Sequence, residues 1–266
     1  MIQLGLIGYP LGHSLSPKIH SAALKACGLE GTYSLFTIHP DDKKGLGDLL
    51  ARVRSGEITG LNVTIPHKQN VIELMDELTP TAQAIGAVNT IYLHNEKLIG
   101  DNTDAAGFLS DLNRFLAKSQ SSIVNHQSAI VLGAGGSARA VVYALLNDGW
   151  SVTIAARRME QAQQLANSFA HYTLHVVDYS SFIFHPSSLI VNTTPLGMSP
   201  NIETSPLPEN TIFSKNSFVY DLVYNPRETK LVKDARVQGL QATTGLGMLI
   251  EQAVLAFELW TGHTPP

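Results

Sequence analysis

The stretch AIVLGAGGSARAVVYALLNDG, residues 129–149, restricts the fold of this chain more than any other. Ile130, Val131 and Leu132 lead into Gly133-Ala134-Gly135-Gly136-Ser137-Ala138, and an amphipathic run follows. A buried strand, a glycine turn and a helix in that order form one unit of a parallel α/β sheet. Each small residue answers a physical need. Gly133 permits the tight turn, Gly135 lets the backbone approach a pyrophosphate, and Ala138 lets helix and strand pack closely. The start of the helix offers its N–H groups to the anion. A second strand, SVTIAAR, follows at the spacing a dinucleotide fold requires.

The end of that second strand selects the coenzyme. NAD-dependent proteins place an acid there to grip the ribose 2′-hydroxyl. This chain has Ala156-Arg157-Arg158, so the acid is absent and two guanidinium groups stand in its place. Guanidinium favours a 2′-phosphate, and NADP is the expected coenzyme.

The composition excludes several other classes. The chain has 266 residues, 44% hydrophobic and 15% charged, which suits one large or two modest folded domains. A net charge of −4 with no basic run argues against nucleic acid as a partner. A lone cysteine, Cys27, precludes an internal disulfide framework and suits the cytoplasm. The opening MIQLGLIGYP reads as a first strand and not as a signal peptide. No apolar run approaches the ~20 residues of a membrane-spanning helix. None of the ten histidines falls in a helical metal-binding pair, and no metal is expected. A homodimer is compatible with the sequence, which leaves oligomeric state open.

Alternating strands and helices precede the fingerprint as well. Strands are expected at 2–8, 32–38 and 58–65, and helices near 17–27, 41–54 and 67–78. VNTIYLHNEKLIGDN reads as a hairpin turning at Asn95-Glu96, followed by a helix from about 104. The polar segment 117–128 reads as a connection between domains. The second α/β series runs to about 238 and a C-terminal helix closes the chain.

Four polar clusters stand out against this frame. In NVTIPHKQNV, Pro66 suits a first helical position, which places Lys68 against the positive end of the helix dipole, where a cation is disfavoured. In GHSLSPKIH, Ser16 before Pro17 reads as a helix cap, while Ser14 has no such local purpose. Asp104 in GDNTD reads either as a cap or as a functional acid, and Asn89 in IGAVNT as a turn residue or a ligand contact.

GHSLSP, NVTIPHK, IGAVNT, GDNTD, GAGGSARA, NTTPLGM, YDLVYNP and GLGMLIEQ resemble, in this order, the motifs of the shikimate dehydrogenase family. The resemblance runs from the first strand to the last helix. It implies an α/β fold of two domains: a substrate domain from 1–104 and 239–266, and a Rossmann NADP-binding domain from 105–238. It implies reversible NADPH-dependent reduction of 3-dehydroshikimate, with Lys68 and Asp104 as the catalytic pair. Ser14 and Ser16 match the residues holding the substrate carboxylate, and Thr64, Asn89, Tyr224 and Gln252 match further substrate contacts. Gly133, Ala134, Gly135, Gly136, Ser137, Ala156, Arg157 and Arg158 match the coenzyme loops, with Leu222 and Gly245 at the nicotinamide end. One departure bears on the coenzyme. NADP-dependent members typically read Asn-Arg-Thr with a further basic residue three positions later, where this chain has Ala156-Arg157-Arg158 and Gln161. A quinate/shikimate dehydrogenase using NAD or NADP is the nearest alternative. A nucleotide-sensing module without turnover is the alternative of a different class, and an intact Lys68 and Asp104 argue against it.

Overall fold

Strands read as unbroken apolar runs when both faces of a sheet are covered, and such runs form the centres of two sheets. The computed structural model describes residues 1–12, 14–118, 128–179 and 189–266. These fall into two compact units, Met1–Gly107 with Ile250–Pro266, and Phe108–Leu249. Most of the expected connection at 117–128, and His13 of the GHSLSP motif, lie outside the described residues.

The first unit begins with β1 (Ile2–Gly8), α1 (Ser16–Ala26), β2 (Gly31–Thr37), α2 (Lys43–Arg54) and β3 (Gly60–Val63). Both crossovers return the chain parallel to β1. Gly28, at φ 68, stops α1, with its N–H on the Lys25 carbonyl (3.2 Å) and the Leu29 N–H on that of Leu24 (2.9 Å). That pairing is a Schellman motif, and only a residue tolerant of positive φ serves at its centre. Next come β4 (Glu77–Leu78), α3 (Pro80–Ile85), β5 (Thr90–His94) and β6 (Lys97–Asp101), giving the sheet order β2-β1-β3-β5-β6-β4. The hairpin turns at Asn95 and Glu96 as expected, at φ 49 and 63, the positive pair that matches strand twist.

The helix expected over 67–78 does not form. Residues after Val63 run through turns into a single 3-10 turn at Ile72–Leu74, and then into β4. Long-range backbone bonds outcompete the helical ladder. The Lys68 carbonyl accepts from Val88 N–H (2.7 Å), and Asp76 N–H donates to the Leu98 carbonyl (3.0 Å). The apolar spacing is real, because Val71, Ile72, Met75 and Leu78 all face one core with Leu46, Leu50 and Leu61. Lys68 therefore does not oppose a helix dipole.

The second unit follows from α4 (Asp104–Lys118), whose first turn still belongs to the first unit. Its elements are β7 (Ser128–Leu132), α5 (Gly136–Asn147), β8 (Ser151–Ala156), α6 (Met159–Asn167), β9 (His175–Asp178), β10 (Leu189–Asn192), β11 (Phe218–Asp221), α7 (Lys230–Val237) and β12 (Gln241–Thr244). Every paired neighbour is parallel, and the order is β12-β11-β10-β7-β8-β9. Counted from the first strand of the unit this is the 3-2-1-4-5-6 order of a dinucleotide-binding sheet. Ile130, Ile190 and Val219 pack there against Leu231, Val232 and Ala235 of α7. The chain rejoins the first unit at Ile250 rather than at 239, because β12 pairs with β11. It does so within α8 (Leu246–Thr261), which lays Ala256, Phe257 and Trp260 on Leu4, Leu24 and Tyr33.

Trp260 also donates its indole N–H to the Ile91 carbonyl (3.2 Å), and it lies directly over Gly60 of β3. A methyl group at Gly60 would overlap the indole ring. Gly60→Ala is expected to lower stability by about 1–3 kcal/mol through overpacking. Urea unfolding followed by tryptophan fluorescence would show the loss, and an unchanged midpoint would remove Trp260 from that position.

Candidate functional site

The topology of the first sheet gathers the polar clusters. Ile7 stands level with Val63, Asn62 with Thr90, and Thr90 with Asp101. The ends of β1, β3 and β6 and the start of β5 therefore share one edge. The segments leaving that edge carry Ser14 and Ser16, Thr64 and Lys68, Asn89, and Asp104. Ligand sites of α/β sheets form at such an edge, where the carboxyl ends of parallel strands open.

Lys68 and Asp104 form a buried ion pair, Nζ to Oδ2 at 2.5 Å, with the residues only 8% and 5% exposed. The other carboxylate oxygen, Oδ1, accepts from the Asn89 amide at 2.9 Å. Asp104 is the first residue of α4 and not its cap, since its N–H donates to Asn102 Oδ1 (3.1 Å). Three consecutive residues hold this arrangement from behind. The Ala87 carbonyl accepts from the Asn102 amide (2.8 Å), Val88 N–H donates to the Lys68 carbonyl (2.7 Å), and Asn89 N–H donates to the Asp101 carbonyl (3.0 Å). Asn89 Oδ1 also accepts from Thr103 N–H (2.8 Å) and the Thr90 hydroxyl (3.0 Å). Asn62 donates to the Asn89 carbonyl (3.3 Å) and accepts from the Tyr33 hydroxyl (2.8 Å). Asn102, Thr103 and Asn62 are not among the expected site residues. Their only sequence signal is that buried strands end in short runs of amide and hydroxyl side chains.

Gln252 reaches Asn89 because Gly107 has no side chain. A Cβ on Gly107 would lie 2.9 Å from the Gln252 Cβ, and this close crossing brings Gln252 Oε1 within 3.5 Å of the Asn89 amide. Thr64 follows β3 and is fixed by its N–H on the Ile7 carbonyl (2.8 Å). The two serines exchange the local roles expected of them. Ser14 Oγ accepts from Ser16 N–H (3.2 Å), and Ser16 is the first residue of α1, not its cap. The hydroxyl group two residues upstream reaches the first helix N–H, which leaves the buried Ser16 side chain at the helix start. Tyr224 lies in the second unit, half-buried beyond β11.

In the second unit Gly133 leaves β7 at φ 111, with its N–H on the Ala155 carbonyl (2.8 Å). A Cβ there would lie 2.7 Å from Thr193 Oγ1, so the turn needs glycine on two counts. Gly135 precedes α5, and a Cβ at that position would meet nothing within 4 Å. That open side, beside the first backbone amides of α5 at Gly136 and Ser137, suits a pyrophosphate. Ala138 is fully buried against the sheet. Ala156 is buried at the end of β8, and Arg157 and Arg158 follow it exposed.

Beyond β11, Leu222 donates its N–H to the Asn192 carbonyl (2.9 Å), and Gly245 N–H approaches the Val223 carbonyl (3.4 Å). Asp221, which ends β11, is fully buried. Its carboxylate accepts from Asn192 Nδ2 (2.8 Å), Val223 N–H (3.0 Å) and the Thr229 hydroxyl (2.6 Å). Burial pushes this carboxyl up to about 6, against the hydrogen bonds that favour its ionised form.

A parallel dinucleotide-binding sheet joined to an α/β unit with a buried lysine–carboxylate pair at its strand ends defines the two-unit class of dinucleotide-dependent oxidoreductases. Family models refine the class. Residues 6–91 match the shikimate dehydrogenase substrate binding domain, 115–194 match shikimate / quinate 5-dehydrogenase, and 245–266 match the shikimate 5'-dehydrogenase C-terminal domain. Shikimate dehydrogenase (NADP(+)) of Salinibacter ruber is 41% identical over 270 residues, covering 98% of this chain and 92% of that protein. The crystal structure of shikimate 5-dehydrogenase from Thermus thermophilus in complex with NADP(H) and shikimate matches with a TM-score of 0.87 at 38% identity, covering 100% of this chain and 95% of that one. Quinate dehydrogenase from Corynebacterium glutamicum in complex with NAD matches at 0.86 and 33%, with the same coverage. The chain belongs to the shikimate dehydrogenase family.

The raised Asp221 carboxyl gives a measurable signature. Because its folded value of about 6 exceeds the ordinary 3.8, the fold favours the protonated form. Its contribution to stability is full below the ordinary value and is lost as pH rises through about 6. Carboxyl-carbon NMR should show one resonance, absent in Asp221→Asn, titrating near that pH. A midpoint in the ordinary carboxylate range would contradict the burial.

Proposed function

We propose that this chain is an NADP-dependent shikimate dehydrogenase that reversibly reduces 3-dehydroshikimate to shikimate in aromatic amino-acid biosynthesis. The observation that carries the reading is the buried Lys68–Asp104 pair, with Asn89 fixing the second carboxylate oxygen. A binding module has no use for a desolvated cation whose partner is held on both oxygens. A proton-transfer site needs that arrangement, and the matched relatives bear the corresponding name.

The second unit fits the coenzyme. Gly133 to Ser137 would hold the pyrophosphate at the start of α5, Arg157 and Arg158 the 2′-phosphate, and Leu222 and Gly245 would flank the nicotinamide end. Bound NADPH supplies the hydride. The chain's own residues manage the rest of the reaction. Ser14 and Ser16 would seat the substrate carboxylate, which the first turn of α1 favours electrostatically, and Thr64 would add a further substrate contact. Asn89 and Gln252 would orient the ring hydroxyls. The Lys68 ammonium would donate a proton to the ketone oxygen as its carbon is reduced, and in the reverse direction the amine would take that proton back. Asp104 aims the ammonium group and stabilises its charge. The lone Cys27 supports a cytoplasmic enzyme, and a homodimer is compatible with the sequence.

Ala156 and Gln161 favour one competing reading, a quinate/shikimate dehydrogenase that also accepts NAD, like the matched Corynebacterium glutamicum protein with its bound NAD. Assays of shikimate and quinate with each coenzyme separate the two.

Lys68→Ala is expected to lower kcat by roughly a hundred- to ten-thousandfold while a binding titration shows shikimate still bound. A near-normal kcat would remove Lys68 from the proton transfer. Ser16→Ala is the cleaner probe of the carboxylate seat, since Ser14 also serves the start of α1. It should raise KM for shikimate by about ten- to hundredfold with a smaller effect on kcat, as befits a lost bond to a charged group. Equal losses in both constants would move the carboxylate elsewhere.

Coenzyme choice is tested at the end of β8. Arg157→Ala and Arg158→Ala should each raise KM for NADP by roughly ten- to hundredfold and scarcely alter that for NAD. Ala156→Asp should reverse the preference by repelling the phosphate and offering the ribose an acceptor. A wild-type protein using NAD and NADP equally would favour the quinate/shikimate reading.

A further inference from the structure

We infer that Asp221 is a positioning residue for the nicotinamide end of the coenzyme site, acting through the backbone it ties together. The inference rests on the placement of Leu222 and Gly245 at that end. Asp221 is fully buried, and its three hydrogen-bond donors include no cation. Burying a carboxylate this way is costly, and an apolar residue would fill the same core position more cheaply. What an apolar residue would not do is join three separate segments. Asn192 ends β10, Val223 lies two residues beyond β11, and Thr229 caps α7 through Val232 N–H (3.3 Å).

The carboxylate reaches further through these partners. Asn192 Oδ1 accepts from both the N–H (2.9 Å) and the hydroxyl (2.7 Å) of Thr194, so one amide side chain binds the loop after β10 to Asp221. The Asn192 carbonyl takes the Leu222 N–H (2.9 Å), and the Val223 carbonyl faces Gly245 N–H (3.4 Å). Gly245 packs so closely on Leu222 that an added Cβ would lie 2.9 Å from its Cα. Leu222, Val223 and Gly245 thus take their register from one buried carboxylate. Arg157 and Arg158 follow β8, separated from β11 by β10 and β7, and do not depend on it.

The test compares binding of NADPH with that of adenosine 2′,5′-bisphosphate, which carries the 2′-phosphate but no nicotinamide. Asp221→Ala removes all three acceptor contacts. Asp221→Asn keeps an oxygen for Asn192 and Val223, and its amide donates to the Thr229 hydroxyl, so it should restore function. For Asp221→Ala we expect NADPH affinity and kcat each to fall about tenfold or more, bisphosphate affinity to stay within about twofold, and Asp221→Asn to lie within about threefold of wild type. Asn192→Ala, which cuts the link to the Thr194 loop, should show the same split and carries the test if Asp221→Ala does not fold. Equal weakening of both ligands would mark a purely structural residue and overturn the inference, as would unchanged NADPH affinity and kcat. Wild-type protein that binds the bisphosphate but gains nothing from the nicotinamide half would instead overturn the placement of Leu222 and Gly245, and this inference with it.

Discussion

The ion pair between Lys68 and Asp104 is the interaction around which the first unit is organised. Two charges withdrawn from water cost several kcal/mol each before their attraction is counted, and the cost is recovered only if every remaining lone pair and proton finds a partner. The local structure meets that demand. Asn89 occupies the second oxygen of Asp104, Asn102 takes its N–H, and Val88 fixes the lysine backbone. Such a pair is a weak source of stability but a strong source of geometry. Removing either charge strands the other, and an unpaired buried charge is the more damaging state.

The sheet edge explains why so few residues accomplish this. Parallel strands deliver their carboxyl ends to the same side, and the antiparallel hairpin adds one strand start and one strand end there. Residues distant in sequence then meet without any long excursion of the chain. The second unit repeats the device with an all-parallel sheet, where Gly133, Ala156, Asn192 and Asp221 all stand at or just past the ends of their strands. Polar side chains at those ends serve as anchors for the loops beyond.

Features governed by a few neighbouring residues are legible in the sequence. The glycine fingerprint, the hairpin at Asn95-Glu96 and the close of α1 at Gly28 depend on local dihedral freedom, which a string of residues displays directly. The segment after Val63 reads wrongly as a helix because its apolar period is produced by three different short structures facing one core. Nothing local reveals that Val88 and Leu98 will claim the backbone groups a helix would have used. The serines trade roles for a related reason, since a hydroxyl group two residues early competes for the same N–H. Asn102 and Asp221 escape notice because Ala87, Asn192 and Thr229, the partners that bury them, are distant in sequence, and a buried amide or acid looks the same in sequence as an exposed one. The members of the lysine–aspartate pair are identified by resemblance, but the network that holds them emerges only from the fold.

The stretch Ala87–Asn89 has a consequence for how the chain tolerates change in length. Its three residues bond in succession to Asn102, Lys68 and Asp101, so the spacing between those partners is measured out in peptide units. Adding or deleting one residue there would shift the register by roughly 4 Å, more than any hydrogen bond can absorb. At Asn95-Glu96, a few residues later, the turn is exposed, so residues added there extend into solvent and not into the core. One short piece of the chain is thus a ruler and its neighbour a slack loop. Insertions and deletions accumulating over evolutionary time would be confined to the second while the first keeps its length, whatever side chains it carries.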